Sequence, residues 1–462
     1  MRRTLVLDVV GLTPALLGDA TPNLRRLADR GAMRPLATVT PAVTCSVQST
    51  FLTGRLPRDH GIVGNGWYFR ELAEVMFWRQ SNALVQAEPV WDAGKRRDPA
   101  FTVANLFWWY NMYGRADIQV TPRPMYPADG RKIPDIHTRP ADLRDDLNRR
   151  LGPFPLFHFW GPMAGIVSSR WIADCAQVVF SQFAPTLTLV YLPHLDYDLQ
   201  RLGPDDPRIA DALHDVDALA GSLIEMAEHA QAAVIVLSEY GITPVSAATL
   251  PNRALRQAGL LALRNERGRE LLDAGASRAF SVCDHQIAHV YVRDRADIAP
   301  VKALMEGLAG VETVLDAEGK RAGGLDHPRA GELVAVSRAD RWFAYPWWLE
   351  DGRAPDYART VDIHRKPGYD PVELFLDPRL RAPRLAVGWR LAKRAMGFRT
   401  LLDVIPLDPF LVRGSHGRPT DDPAAGPLIV SSEPDLLRQA AGDGPLAATG
   451  VRDLILAHVF GC

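Results

Sequence analysis

The sequence predicts an α/β protein with a mostly parallel central sheet and helices on both of its faces. Short apolar runs that suit buried strands lie at 4–10, 186–192 and 232–238, and segments with helical spacing of apolar residues lie at 21–31 and 208–229. Strands that alternate with helices in this order are typical of βαβ units, in which helices cover a parallel sheet. A length of 462 residues suits one large α/β unit with insertions, or two domains.

Composition excludes several classes of protein. Hydrophobic residues make up 47% and charged residues 23% of the chain, the balance of a globular protein, and a net charge of −1 gives no broad electrostatic footprint for nucleic acid. The four cysteines share no short spacing, so neither a zinc knuckle nor a disulfide framework is indicated. The first apolar run contains Asp8 and is too short for a signal peptide, and no run is long enough to span a bilayer. We therefore expect a cytoplasmic protein without a membrane span.

The segment 42–54 is the first candidate for chemistry. Small polar residues lead into an apolar run that closes on Gly54, which predicts a helix with Thr44 in its first turn. A hydroxyl at that place lies near unpaired backbone N–H groups and the positive end of the helix dipole, which favour an alkoxide or a phosphoryl oxygen. Ser and Thr are also ordinary helix caps. Thr44 is therefore either a cap or a nucleophile on position alone.

Carboxylates follow the predicted strands. Asp8 lies at the end of the first apolar run, Asp196 follows the run at 186–192, and Glu239 follows the run at 232–238. Open α/β sheets bind ligands just beyond the carboxyl ends of their strands. The carboxylates are thus candidates for a common site.

Together these features resemble the alkaline phosphatase superfamily, and within it the type I phosphodiesterase/nucleotide pyrophosphatase branch. The matching order is a strand containing Asp8, a helix, the helix led by Thr44, Asn65 twenty-one residues further on, and a late His416-Gly417 segment before a strand at 426–432. The resemblance implies an alkaline-phosphatase-like fold. It also implies that Thr44 is the nucleophile and that Asn65 holds a phosphoryl oxygen. The metal ligands that it implies are Asp8, Thr44, Asp196 and His416, with Glu239 as an exchange of one oxygen donor for another.

Two positions depart from the family pattern. Gln200 and Tyr240 stand where the family has histidines. Amide and phenol groups are poor zinc ligands at neutral pH, so these positions are either weakened or filled from elsewhere. His194 is close enough in sequence to substitute for Gln200.

A second pair of replacements is available at 281–292. Asp284 and His285 lie at the head of or within a predicted strand there, and strand spacing places His285 and His289 on one face. One of these histidines could be a ligand and the other a core residue. The resemblance implies one or two divalent ions, zinc by family pattern, whereas the shift to oxygen donors makes manganese or magnesium an alternative.

Two further stretches concern the substrate. The loop at 362–371 concentrates His364, Arg365 and Lys366, which could bind phosphate oxygens, although His364 could instead bind metal. Residues 66–180 are rich in aromatics and prolines, and we expect them to form an inserted cap over a catalytic core made of 1–65 and 181–462. The alternative is that these aromatics belong to the core.

The predicted function is metal-dependent hydrolysis of phosphoesters or phosphodiesters, with a small organic phosphate or diphosphate as substrate and a Thr nucleophile. One alternative is a phosphonate hydrolase of the same superfamily, which cleaves a carbon–phosphorus bond. Another is a non-catalytic protein that binds a phosphorylated metabolite on the same fold. A third alternative, a sulfatase-type hydrolase, is disfavoured because Cys45 lacks the Cys/Ser-x-Pro-x-Arg context that such an enzyme needs. The oligomeric state is left open.

Overall fold

The computed structural model describes residues 1–128, 130–398 and 400–461. The strands, numbered along the chain, are β1 Thr4–Val9, β2 Ala32–Pro35, β3 Gly66–Phe69, β4 Glu74–Phe77, β5 Val103–Leu106, β6 Ile118–Pro122, β7 Ile136–Arg139, β8 Leu187–Leu192, β9 Ala233–Leu237, β10 Thr243–Pro244, β11 Ala247–Thr249, β12 Leu263–Glu266, β13 Arg269–Leu272, β14 Ala279–Asp284, β15 Ile287–Val292, β16 Val311–Leu315, β17 Leu333–Ser337, β18 Arg341–Phe343, β19 Gly414–Ser415 and β20 Leu428–Ser431. The helices are α1 Pro22–Arg30, α2 Thr44–Thr53, α3 Pro57–His60, α4 Val90–Arg97, α5 Leu143–Leu151, α6 Ile166–Phe183, α7 His194–Leu202, α8 Ile209–His229, α9 Pro251–Gln257, α10 Ile298–Glu306, α11 Ala317–Ala322, α12 Pro383–Ala395, α13 Pro434–Ala441 and α14 Val451–Phe460.

The central sheet has the strand order β2-β20-β9-β1-β8-β5-β6-β7 within the described residues. Strands β9, β1, β8, β5 and β6 run parallel to their neighbours, whereas β20 and β7 pair antiparallel with β9 and β6. Strand β1 is at the centre, with Asp8 in register with Tyr191 on β8 and Leu237 on β9. The predicted mostly parallel sheet is confirmed.

Two groups of helices cover this sheet. Helices α1, α6 and α7 contact α8, which in turn contacts β1 and β9, while α14 contacts the same two strands together with α2 and α4. Because β1 and β9 contact α8 in one group and α14 in the other, the groups lie on opposite faces. Each strand of the parallel centre is therefore covered on both sides, which explains why every residue of β1, β8 and β9 is buried and why most of them are apolar.

Residues 66–180 are not an insertion outside the core, which corrects the expected division of the chain. Strands β5, β6 and β7 from this stretch form one side of the central sheet, and α6 packs on β5 and β8. The aromatic residues Trp108 and Phe154 belong to the main hydrophobic core. The prolines and aromatics of this stretch favoured a cap, whereas its short strand β5, with Val103, Ala104 and Leu106 fully buried, belongs to the central sheet.

A second, antiparallel sheet of order β14-β15-β17-β16 lies within 279–337 and has its own hydrophobic cluster with β18 and the tryptophans at 347 and 348. The predicted helices at 21–31, 42–54 and 208–229 appear as α1, α2 and α8. Helix α2 ends at Gly54, whose φ of 65° is a left-handed conformation that glycine adopts without steric cost. No helix in the described ranges is long and apolar enough to cross a membrane.

Candidate active site

The candidate site lies beyond the carboxyl ends of the central strands. Asp8 comes from β1, Asp196 from α7 after β8, Glu239 from the loop after β9, and Thr44 from the start of α2. Parallel strands bring these ends to one edge of the sheet. All four side chains are buried, so charges at this site are weakly screened by water.

A glutamine holds two of the carboxyl groups. The Nε2 group of Gln48 donates to Asp8 Oδ2 at 3.1 Å and to Glu239 Oε1 at 2.7 Å, while its Oε1 accepts from the backbone N–H of Trp109 at 2.8 Å. The remaining oxygens, Asp8 Oδ1 and Glu239 Oε2, are buried and have no hydrogen-bond partner. Burial raises the pKa of Asp8 to about 7, and burial together with the nearby Asp8 charge raises the pKa of Glu239 well above its usual range.

Thr44 is the first residue of α2, but it does not cap the helix. The N-cap residue is Val43, and α2 has no side-chain capping hydrogen bond. Thr44 Oγ1 lies 3.1 Å from the Tyr240 hydroxyl, and the Thr44 side chain also hydrogen-bonds Glu239, which opposes the rise in the pKa of Glu239. The cap interpretation is therefore wrong, and the hydroxyl points to the carboxyl groups.

Asp196 is already engaged on both oxygens. Gln200 Nε2 donates to Asp196 Oδ2 at 2.7 Å, and the Tyr240 hydroxyl donates to Asp196 Oδ1 at 3.3 Å. Gln200 also hydrogen-bonds the Tyr369 hydroxyl at 3.1 Å. Burial and the nearby Glu239 charge raise the pKa of Asp196 to about 7.

Two histidines lie between two tyrosines. The ring of His416 stacks on Tyr240 with centroids 3.5 Å apart and on His285 at 3.7 Å, and His285 stacks on Tyr369 at 3.6 Å. His416 Nδ1 hydrogen-bonds the carbonyl of Ala42 at 2.8 Å. Burial lowers the pKa of His285 and His416 well below the usual range, and the Nε2 atoms of both rings are buried without a hydrogen-bond partner.

Asn65 joins α2 to the second sheet. Its Oδ1 accepts from the backbone N–H of Cys45 at 3.0 Å, its backbone N–H donates to Asp284 Oδ2 at 2.8 Å, and its Nδ2 donates to Asp284 Oδ1 at 3.1 Å. Asp284 Oδ1 also lies 2.8 Å from His285 Nδ1. Burial raises the pKa of Asp284 to about 6.

The donors at the two metal positions implied by the resemblance differ in their fit to a cation. In the described ranges, no group of three or more His, Cys, Asp or Glu residues has metal-binding spacing. The set formed by Asp8, Thr44 and Glu239 nevertheless fits one oxygen-binding ion, because each carboxyl group keeps one buried oxygen without a hydrogen-bond partner while Gln48 fixes the other. The set formed by Asp196, Gln200 and His416 fits a second ion less well, since amide and phenol donors hold the Asp196 oxygens. His416 Nε2, which lies 3.8 Å from Asp196 Oδ1, is its one ligand atom without a hydrogen-bond partner.

The loop at 362–371 contributes a different residue from those predicted. Lys366 is buried in ion pairs with Asp370 and Glu373, both at 2.7 Å, so it is not available to a phosphate. Arg365 and His364 are exposed. The ion pairs of Lys366 therefore contradict its predicted contact with a substrate phosphate. Substrate binding by His364 and Arg365 stays a prediction. Tyr369, which the sequence did not mark as a site residue, reaches the site instead.

The predicted common face of His285 and His289 is also wrong. His285 and Gln286 form the two-residue turn between β14 and β15, and His285 has a φ of 60°. His289 Nε2 bonds the carbonyl of Val63 at 2.9 Å and its Nδ1 accepts from Gly331 N–H at 3.2 Å, which are structural contacts. His194 does not replace Gln200, because its charged neighbours are Asp198, Asp215 and Arg201.

Gln48 is the other site residue that the sequence reading missed. It lies four residues after Thr44, which places it on the same face of α2 one turn further on. The spacing of four residues from Thr44 is the sequence feature from which Gln48 could have been predicted as a site residue. Its polar side chain inside an otherwise buried helix also required a partner.

Known proteins resemble this chain in sequence and in fold. The model of the type I phosphodiesterase/nucleotide pyrophosphatase family matches residues 4–370. An uncharacterised pyrophosphatase/phosphodiesterase of Schizosaccharomyces pombe is 27% identical over 237 residues, which are 49% of this chain and 41% of that protein. The match thus spans less than half the length of the yeast relative.

Solved structures show the same fold at low identity. Phosphonoacetate hydrolase from Sinorhizobium meliloti 1021, in complex with phosphonoformate, gives a TM-score of 0.62 at 16% identity and covers 99% of this chain and 96% of its own. Murine ectonucleotide pyrophosphatase/phosphodiesterase 5, in complex with AMP, gives 0.59 at 16% identity over 100% of this chain and 95% of its own. The predicted alkaline-phosphatase-like fold and the predicted phosphodiesterase/nucleotide pyrophosphatase family are confirmed. The chain belongs to the type I phosphodiesterase/nucleotide pyrophosphatase family.

Proposed function

We propose that this protein hydrolyses a phosphoester, phosphodiester or phosphonate bond in a small substrate, with Thr44 as the nucleophile. The observation that carries the proposal is the buried Thr44 hydroxyl at the first residue of α2, held beside Glu239 and Tyr240. The phosphorylated or phosphonate ligands named with the murine and Sinorhizobium structures support a small phosphorus-containing substrate. A cytoplasmic location remains a prediction.

One divalent cation is part of this proposal, held by Asp8, Thr44 and Glu239. The all-oxygen donor set favours magnesium or manganese over zinc. When bound, such a cation supplies positive charge that lowers the pKa of the Thr44 hydroxyl and offsets phosphoryl charge. Gln48 keeps both carboxylates oriented, since it donates to one oxygen of each.

The residues of the chain divide the remaining work. Glu239 accepts the Thr44 proton as Thr44 Oγ1 bonds to phosphorus and the bond to the leaving group breaks. A water molecule then attacks phosphorus and breaks the bond to Thr44 Oγ1. Thr44 Oγ1 takes its proton back from Glu239, and the proton that the water gives up passes to solvent. The backbone N–H groups in the first turn of α2, apart from that of Cys45, which donates to Asn65 Oδ1, face the oxygens of the phosphoryl group and stabilise their charge. The Tyr240 hydroxyl lies 3.1 Å from Thr44 Oγ1 and orients it.

A non-catalytic phosphometabolite-binding protein is the second candidate, favoured by the Gln200 and Tyr240 side chains that hold the Asp196 oxygens where the family has histidines. Asn65 sets a condition on both candidates. Asn65 Nδ2 donates to Asp284 Oδ1, and Asn65 Oδ1 accepts from the Cys45 N–H. The groups that the family resemblance assigns to phosphoryl oxygens are thus engaged within the protein. Catalysis requires the Asn65 amide to exchange its Asp284 contact for a phosphoryl oxygen.

The test compares Thr44→Ala with Thr53→Ala. Both threonines are buried in α2, but Thr53 Oγ1 donates to the Ser49 carbonyl away from the carboxyl groups. Turnover of bis-p-nitrophenyl phosphate, p-nitrophenyl phosphate and phosphonoacetate is measured with magnesium, manganese or zinc added. We expect Thr44→Ala to lose about 10³-fold or more in kcat, as a lost nucleophile does, and Thr53→Ala to keep its turnover.

Metal analysis of the purified protein supplies the second readout. About one bound divalent ion per chain, lost in Glu239→Ala, supports the proposed ligand set. Absence of turnover with every metal, combined with phosphometabolite binding that survives Thr44→Ala, would replace the hydrolase with the binding protein.

A further inference from the structure

We propose that the segment from Arg379 to Leu402, centred on α12, docks on an anionic lipid surface. This proposal is independent of the proposed chemistry. Between Asp377 and Asp403 the sequence holds seven Lys and Arg residues and no Asp or Glu, in a chain whose net charge is −1. Arg379 and Arg390 pair with the two bounding aspartates, and the segment itself has no acidic residue to balance the other five cations. The positive charge of this protein is therefore locally concentrated.

The same segment exposes large apolar side chains. Seven of the eighteen exposed large hydrophobic residues in the described part of the chain fall between 385 and 402, among them Leu385 at 76%, Trp389 at 58% and Phe398 at 62% exposure. Leu385, Trp389 and Met396 recur at spacings of four and seven residues, which places these positions on one side of a helix. A basic amphipathic helix with Trp, Leu and Phe on its apolar side is the pattern of an interfacial helix.

The helix is anchored to the body of the protein on its other side. Val387 on α12 and Leu380 just before it pack against a cluster that includes Trp342, Val372 and Ile405. Arg390 Nε donates to Asp403 Oδ1 at 2.5 Å. The exposed apolar side chains thus belong to a segment that already has its own contacts with the fold.

The positive charge and the exposed apolar side chains of this segment favour an anionic membrane over a second copy of the chain or a nucleic acid. A second copy of the chain would place two such basic segments against each other, and like charges across an interface disfavour association. A nucleic acid would leave the exposed Leu, Met and Phe side chains in water. An anionic membrane surface pairs with the basic residues and buries the apolar ones to the depth of the headgroups.

The experiment is co-sedimentation of the full-length protein with vesicles of phosphatidylcholine alone or mixed with phosphatidylserine, at low and high salt. We expect binding to the mixed vesicles only, weakened by salt. The double variants Leu385→Ser/Trp389→Ser and Arg381→Glu/Lys393→Glu each bind about 10-fold or more weakly, as the loss of interfacial anchors or the reversal of two charges implies.

Matched controls carry the same changes elsewhere on the surface. Leu72→Ser/Leu349→Ser alters two other exposed leucines, and Arg26→Glu/Arg55→Glu alters two other exposed arginines. Both controls should bind like the parent protein. No binding to the mixed vesicles, equal binding to both vesicles, or equal weakening by the controls would overturn the proposal. So would an oligomer in sedimentation velocity that Leu385→Ser/Trp389→Ser dissociates.

Discussion

Replacement of Gln48 by methionine tests whether its amide holds the two carboxylates. The change keeps a long unbranched side chain but removes the bonds to Asp8 Oδ2 and Glu239 Oε1 and leaves the Trp109 N–H without its acceptor. Hydrogen bonds to charged groups contribute about 1.5 to 3 kcal/mol each. We therefore expect Gln48→Met to lower the free energy of unfolding by about 3 to 6 kcal/mol.

Gln119→Met is the matched control for that measurement. Gln119 is equally buried, and its Nε2 donates to the neutral carbonyls of Gly114 and Ala116 at 2.9 and 3.1 Å. Loss of neutral hydrogen bonds costs about 0.5 to 1.5 kcal/mol each, so this control should lose about 1 to 3 kcal/mol. Urea unfolding of both variants, followed by circular dichroism, gives the comparison.

Cation affinity separates a specific role of Gln48 from general destabilisation. Loss of a residue that orients metal ligands weakens binding about 10- to 100-fold. The manganese concentration that gives half of the maximal rise in melting temperature should increase about 10- to 100-fold in Gln48→Met. It should stay unchanged in Gln119→Met. Equal stability losses in the two variants, together with equal manganese dependence, would refute the reasoning.

Further predictions concern other parts of the molecule. Lys366→Met leaves the buried carboxyl groups of Asp370 and Glu373 without their cation, and it should lower the free energy of unfolding by about 3 to 5 kcal/mol. Replacement of the exposed Arg365 by alanine should change that free energy by less than about 0.5 kcal/mol. Equal melting temperatures for the two variants would contradict this prediction. Tyr240→Phe keeps the ring but removes the hydroxyl beside Thr44, and it should lower kcat about 10-fold or more. The Tyr345 hydroxyl has no hydrogen-bond partner, so Tyr345→Phe should leave kcat unchanged. A normal kcat in Tyr240→Phe would remove the Tyr240 hydroxyl from the proposed mechanism. Burial lowers the pKa of His60 to about 3, below its value of about 6.5 in an unfolded chain, so the unfolded state binds the proton more tightly and stability falls as the pH drops below about 6.5. At pH 5 this single group should cost about 2 kcal/mol relative to pH 7, and unfolding of His60→Gln, measured at both pH values, should lack that part of the dependence.

The sequence predicted those features that depend on local pattern. The apolar runs located β1, β8 and β9, and their carboxyl ends placed Asp8, Asp196 and Glu239 at one edge because parallel strands end together. Thr44 was found from the helix start. These inferences need only the periodicity of one segment and the rule that ligands bind beyond strand ends.

Contacts between distant segments could not be read in the same way. His285 was placed within a strand because no glycine or asparagine marks the turn between β14 and β15, yet that histidine itself adopts the positive φ. Lys366 was a candidate for phosphate binding because of the composition of its loop, yet Asp370 in that loop and Glu373 beyond it neutralise its charge. Burial, which the sequence did not reveal, decided both cases.

The stack of Tyr240, His416, His285 and Tyr369 sets a condition on how the chain folds. Its four rings come from four separate segments, and the two histidines at its centre are 131 positions apart in the sequence. Strand β20, which follows His416, also inserts between β2 and β9 in the central sheet. During synthesis, the first four hundred residues can therefore form neither the complete central sheet nor the stack. Both require one of the last segments to leave the ribosome, although Asp8, Thr44 and Glu239 are present long before it.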